Sequence, residues 1–311
     1  MPLHITGVWK PLYSDNPLES GSVGVGLVLE PSTQITYPID LSCDLEVNDR
    51  CISIDMISLA RDLYGYRDKM RIRSRVPLGV GAGVSANIAV GIGYSVSRNI
   101  LSVDETIHGA RRLISAGLIA HELEVRSRTG LGDVIAELAG YGLEFRRKPG
   151  PPCIGEIESF LTRDVSVIVG VLTTTLYTPE MLRRMSPEII ARAESLIERF
   201  DSDPSIETFT EISHEFSKTM GFLSRDLDEV IRDSLKRYIA GGVVFGYYVK
   251  KSLLVILYDR KIDIDPSVLR DLNLASIVRL NPTSKSLIDS ERECVRLEEI
   301  LDKIDVLKRS I

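Results

Sequence analysis

Apolar and polar residues alternate with a period of two across residues 70–76, where Arg71, Arg73 and Arg75 share one side. That spacing predicts a strand with one wet face. Residues 21–29, 33–39 and 51–56 read as further strands, so the first 75 residues are expected to hold strands and turns. From residue 85 to about 138 the pattern is helical. Within it, Ser102-Val103-Asp104-Glu105 has the form of a capping box for a helix running toward Ala116. Gly150-Pro151-Pro152 interrupts the pattern and divides the chain into expected domains 1–150 and 151–311. The second half predicts buried strands at 164–172, 243–249, 252–258 and 276–280. Helices are expected from the Ser186-Pro187 start, over 205–222 and 224–239, after Asp265-Pro266, and as one amphipathic helix over 288–307. Strands and helices alternate irregularly, which indicates α+β layers and not a regular βαβ array.

The 311 residues carry 38 Lys+Arg and 44 Asp+Glu, a net charge of −6, and 44% are hydrophobic. This is a globular composition, and the acidic balance argues against a nucleic-acid coat. Residues 76–97 hold no charge, enough length to span a bilayer, but Pro77, Asn87, five glycines and several serines make a poor membrane helix. A buried or ligand-facing segment is expected instead. The opening Met1-Pro2-Leu3-His4 lacks the basic and apolar run of a secretory signal. Cys43, Cys51, Cys153 and Cys294 form no C-x-x-C pair, so free thiols in a reducing cytoplasm are expected.

The most informative segment is Pro77-Leu78-Gly79-Val80-Gly81-Ala82-Gly83-Val84-Ser85-Ala86-Asn87, between a strand and a helix. Glycines let a ligand approach the main chain, and a helix N-terminus offers free amides and a positive dipole end. A Walker A loop is absent, because no Gly-Lys-Ser/Thr follows. Gly81, Gly83 and Ala86 formally fit a dinucleotide fingerprint, but the half-exposed strand before them does not suit it. The segment resembles the phosphate loop of the GHMP kinase superfamily, P-x-x-x-G-L-G-S-S-A-A. It departs at Ala82, Val84 and Asn87.

Four further stretches, in order, resemble archaeal pantoate kinases. They are Pro2-Leu3-His4-Ile5-Thr6-Gly7, with Leu3 in place of the usual glycine, and Gly21-Ser22-Val23-Gly24-Val25-Gly26. The others are Ala120-His121-Glu122-Leu123-Glu124 with Arg128-Thr129-Gly130-Leu131-Gly132-Asp133, and the glycine- and arginine-rich 140–150. The resemblance implies a two-domain α+β fold: an N-terminal domain like ribosomal protein S5 domain 2 and a ferredoxin-like C-terminal domain. It implies ATP-dependent phosphorylation of pantoate to 4-phosphopantoate, with Mg2+, in coenzyme A biosynthesis. ATP would lie against Pro77, Gly79, Gly81, Ala82, Gly83, Val84, Ser85 and Ala86.

The resemblance also assigns roles. Ser85 and Glu124 would hold the metal, with Glu122 as the rival acid. Asp133 would take the proton of the attacking hydroxyl, its competing role being to cap the following helix. Ser22, His121, Arg146 and Thr174 would bind the substrate, with Arg147 the alternative to Arg146. Residues 241–246 would back the phosphate loop. Small molecules are the expected partners, without nucleic acid or membrane, and a homodimer is compatible. The alternatives are a kinase of the mevalonate or homoserine class, and a non-catalytic protein of the same fold that binds a nucleotide or metabolite.

Overall fold

The computed structural model describes residues 1–31, 33–101, 109–173 and 178–311. The N-terminal half runs β1 (Leu3–Leu12), β2 (Gly21–Glu30), β3 (Gln34–Thr36), β4 (Leu45–Val47), β5 (Arg50–Cys51), α1 (Asp55–Tyr64), β6 (Met70–Arg73), α2 (Val84–Ile100), α3 (Gly109–Ser127), α4 (Asp133–Ala139) and β7 (Leu143–Lys148). The remainder is β8 (Glu156–Phe160), β9 (Val165–Leu172), α5 (Thr178–Arg183), α6 (Pro187–Ser202), α7 (Ile206–Thr219), α8 (Arg225–Ala240), β10 (Val244–Lys250), β11 (Leu253–Asp259), β12 (Leu274–Pro282), α9 (Ser290–Glu293) and α10 (Leu297–Ser310).

Eight strands form one sheet in the order β10-β11-β9-β12-β2-β7-β8, with β1 also paired to β2. The two halves join where Asn281 and Pro282 of β12 meet Glu30 and Leu29 of β2. β8, beyond the expected boundary at residue 150, pairs with β7. A four-stranded sheet, β3-β6-β4-β5, stands apart. The larger hydrophobic core joins β1, β2, α2 and α3 to Val167, Val169, Phe216 and Val255 of the second half. A smaller core lies between the other face of β9–β11 and α8, around Ile168, Ile231, Leu235 and Ile256.

Local chemistry accounts for the second-half helices. Ser186, Ser205 and Ser224 cap α6, α7 and α8, each side chain accepting an amide hydrogen from the first turn. Such caps are worth about 1 kcal/mol each. The uncharged stretch 76–97 enters α2, where Val84, Ala86–Gly93 and Val96 are all buried. No helix among the described residues is long and apolar enough to cross a membrane.

The structure departs from the sequence expectations in four places. Residues 51–56 are not a strand: β5 ends at Cys51 and Asp55 opens α1, which buries Met56, Ile57, Ala60 and Tyr64 along one helical face. The helix expected over 288–307 divides into α9, a 3-10 turn and α10. The cysteines are paired: Cys43 with Cys51 and Cys153 with Cys294, their Cα atoms 6.0 and 5.4 Å apart. The second pair is separated by 141 residues, so only the closed fold brings it together. Gly241 ends α8 and both it and Gly242 are exposed, so they do not back the phosphate loop. The capping box at Ser102–Glu105 lies outside the described residues.

Candidate active site

The glycine-rich segment leaves β6 as a loop and ends at Gly83, the N-cap of α2. Gly83 has φ 73°, in the left-handed region, and no side chain caps this helix end. The first-turn amides of α2 therefore have no intrahelical partner and present an anion-binding terminus. Gly79, Gly81, Ala82, Gly83, Val84 and Ser85 line a cleft of about 620 Å³. Pro77 stands exposed at the loop entrance, and Ala86 is buried in α2 behind it.

Gly130–Asp133, Thr6, Ser22, Lys250 and Lys251 also line this cleft. Asp133 is the first residue of α4, but Gly132 occupies the N-cap position. The Asp133 carboxylate instead meets His4, with Oδ1 2.6 Å from Nδ1. The other ring nitrogen, Nε2, lies 2.9 Å from Glu144 Oε1, and Arg146 Nη1 pairs with that same oxygen. A buried chain thus runs from Asp133 through His4 and Glu144 to Arg146. Burial alone would raise the Asp133 pKa. The charges of Lys250, His4 and Arg146 outweigh it and hold the carboxyl well below its usual range.

Strand alternation separates the adjacent arginines. Arg146 is 1% exposed, whereas Arg147 points outward and pairs with Glu158 and Asp201. Arg146 lies directly behind Gly132 and Ser22: a Cβ built on Gly132 would stand 2.6 Å from its Nε and 2.5 Å from Ser22 Oγ. Its Nε and Nη2 have no hydrogen-bond partner among the described residues.

Glu122 and Glu124, two residues apart on α3, face different surroundings. Glu122 accepts hydrogen bonds from Tyr64, Lys308 and Arg126, tying α3 to α1 and α10. Glu124 is 1% exposed, and neither carboxylate oxygen has a hydrogen-bond partner among the described residues. The Ser85 and Thr129 hydroxyls lie beside it and favour its charged form. Burial and Asp133 outweigh them and push its pKa up to about 8. Two orphaned oxygens next to a serine hydroxyl fit a hard divalent cation that completes its shell with phosphate and water. No cluster of three or more His, Cys, Asp or Glu among the described residues could hold a metal alone.

Replacing these glutamates should have opposite consequences. Glu122→Ala is expected to cost about 1–3 kcal/mol, because the buried Tyr64 hydroxyl loses its acceptor, while kcat stays near the parent value. Glu124→Gln should abolish most activity without lowering Tm. Thermal melts and turnover of both variants decide the matter; reversed outcomes would exchange the two roles.

His121 is buried beneath the cleft, and its Nε2 donates to the Ser20 carbonyl at 2.8 Å. Burial, outweighing its backbone hydrogen bonds, lowers its pKa to about 4. It therefore supports the start of β2, which carries Ser22, and does not reach the cleft as a substrate ligand. Thr174 lies outside the described residues. Sequence reasoning missed four participants. They are His4, to which the motif by itself gives no role, and Glu144, Lys250 and Lys251, which belong to no motif. The only visible signal was a lysine pair between two apolar strand runs, a pattern that solvated hairpin turns share.

This fold is that of the GHMP small-molecule kinases. It superposes on a structure described as a phosphotransferase related to the CoA biosynthesis pathway, with TM-score 0.71, 22% identity, and coverage of 92% of this chain and 95% of the other. A mevalonate kinase matches with TM-score 0.52 and 14% identity over 91% of this chain and 98% of its own. A complex titled MDDEF with MVAPP, AMPPCP and magnesium matches with TM-score 0.56 and 11% identity over 90% and 94%. No family model matches the chain. In sequence, the chain resembles curated pantoate kinases. That of Thermococcus kodakarensis is 26% identical over 291 residues, covering 88% of this chain and 92% of the relative. That of Methanocaldococcus jannaschii is 26% identical over 239 residues, covering 75% and 83%.

Proposed function

We propose that this protein is a pantoate kinase, transferring the γ-phosphoryl group of ATP to the primary hydroxyl of pantoate. The observation that carries this reading is the convergence of an uncapped glycine-loop helix terminus and Asp133 on one cleft, with the orphaned Glu124 carboxylate directly behind the lining residue Gly130. The similarity to pantoate kinases over most of both chains supports the choice of acceptor.

The glycine loop receives the triphosphate with its amides. Glu124 and Ser85 would hold a magnesium ion, which would supply charge neutralisation for the phosphate oxygens. Asp133 accepts a hydrogen bond from the attacking hydroxyl and directs its oxygen at the γ-phosphorus. A new oxygen–phosphorus bond forms, the bond from the γ-phosphorus to the β–γ bridging oxygen breaks, ADP departs, and the hydroxyl proton passes to Asp133. A carboxylate held so acidic is a weak base. This suits a loose transition state, in which the hydroxyl needs little activation and loses its proton late. Asp133 then acts mainly by alignment, and His4, Glu144 and Arg146 keep it in place. The pantoate carboxylate is received at Ser22 and Gly132, where Arg146 has unpaired N–H groups immediately behind the wall.

Steady-state release of ADP, compared across pantoate, mevalonate and homoserine, tests this. Turnover with pantoate at least tenfold above the others is expected, about 1.4 kcal/mol of discrimination. Preference for another acceptor would reassign the substrate. Nucleotide binding without ADP release on any of them would favour the non-catalytic alternative.

A further inference from the structure

The glycine loop contains no lysine or arginine, so its amides and helix dipole are the only positive groups it offers to a polyanion. Charge must come from elsewhere in the cleft. Among its described lining residues the only lysines or arginines are Lys250 and Lys251, at the turn between β10 and β11. We propose that this turn is a second phosphate-binding element, in which Lys251, assisted by Lys250, contacts the phosphate chain lying on the glycine loop. The proposal rests on the kinase reading above and extends it to residues from the opposite half of the chain.

Three observations support it. First, Lys250 and Lys251 are 6% and 7% exposed, although lysines at hairpin turns are ordinarily solvated. Second, the turn touches the loop. A Cβ built on Gly81 would lie 3.3 Å from Lys251 Cδ and 3.4 Å from the Lys250 carbonyl oxygen. The Lys251 stem is therefore laid along the loop backbone. Third, Lys251 has φ 55°, a left-handed conformation that non-glycine residues adopt rarely. Such local strain is retained where the surrounding structure requires it, often at ligand-binding positions.

The two amines divide the cleft between them. Lys250 sits in the field of Asp133, Glu144 and Glu137, with Arg146 opposing. Lys251 lies at the loop side, against Gly81. Burial, with the neighbouring Lys250 charge, lowers the Lys251 pKa to about 8 against the pull of Asp133 and Glu124. An arriving phosphate would reverse that balance and stabilise the ammonium form.

Lys251→Met keeps most of the stem against Gly81 and removes the charge, so it separates charge from packing. Binding of ADP, AMP and adenosine to the acceptor-free protein is measured by calorimetry, with thermal melts of the unliganded variant. Loss of a charge-assisted hydrogen bond, worth about 1.5–3 kcal/mol, predicts roughly ten- to hundredfold weaker ADP binding. Adenosine affinity should change less than about twofold, because that ligand presents no anion. Lys251→Arg should recover part of the ADP affinity. Unchanged ADP affinity, or equal losses for ADP and adenosine, would overturn the proposal. Failure of the parent protein to bind ADP at all would instead overturn the kinase reading itself.

Discussion

Asp133→Asn is expected to lower kcat with pantoate by about 10²–10⁴-fold, the range spanned by positioned proton-transfer groups. The substitution preserves shape but removes the charge that faces His4 Nδ1 and Lys250. The amide cannot take the hydroxyl proton, and it removes one of the carboxylates, with Glu144 and Glu137, that face the buried Lys250. ADP affinity should fall far less than kcat, since on the proposed reading the glycine loop and the Lys250–Lys251 turn, not Asp133, hold the phosphate chain. Pre-steady-state turnover with calorimetric ADP binding separates the two quantities. Turnover within about threefold of the parent would remove Asp133 from the chemistry, because that difference is worth only about 0.7 kcal/mol.

The second large effect is expected at Gly83. Alanine there would need φ 73°, and its Cβ would stand 2.0 Å from Glu137 Oε1. Glu137 cannot swing aside: it is fully buried, and Asn87 Nδ2 holds its other oxygen at 2.5 Å. Burial and the nearby Asp133 raise the Glu137 pKa well above the usual carboxyl value. Gly83→Ala therefore combines a backbone cost of about 1–2 kcal/mol with overpacking of about 1–3 kcal/mol. Both fall on the phosphate loop, so nucleotide affinity should drop by more than tenfold and Tm by several degrees. Gly79→Ala is the control. Gly79 also has positive φ, at 91°, but nothing lies within 4 Å of its Cβ position. It should pay only the backbone cost. Equal losses at the two positions would show that the Glu137 contact is irrelevant.

The pairing of Asn87 with Glu137 illustrates what a motif comparison leaves out. At Asn87 the loop departs from the GHMP pattern, which has alanine. In the fold Asn87 donates to both the Pro2 carbonyl and Glu137, fastening the base of the loop to β1 and α4. The partner lies 50 residues away, and nothing in the local sequence points to it. The same holds for Glu122 and Glu124. Spacing from Asp133 could favour either, whereas their surroundings differ outright: Tyr64, Lys308 and Arg126 bond to one, and only the Ser85 and Thr129 hydroxyls lie beside the other.

Local signals were read from the chain alone. Strand alternation distinguished the inward and outward arginines of β7 once that strand was placed. The Ser186-Pro187 cap marked the start of α6, the helical pattern marked α7 and α8, and the glycine-rich run marked the loop that enters α2. These depend on backbone preference and on residues within a few positions of one another, so the sequence determines them directly. The helix α1 was legible on the same terms, through the buried spacing of Met56, Ala60 and Tyr64, but its short apolar start imitates a strand.

Tertiary structure decided the rest. It placed His4 against Asp133 across 129 residues, carried Lys250 and Lys251 from the second half to the loop of the first, and joined Cys153 to Cys294. It also sealed His121 away from the cleft. The physical reason is common to all of them: charge, burial and pairing depend on distances through space, and a residue's immediate neighbours in sequence do not encode those distances.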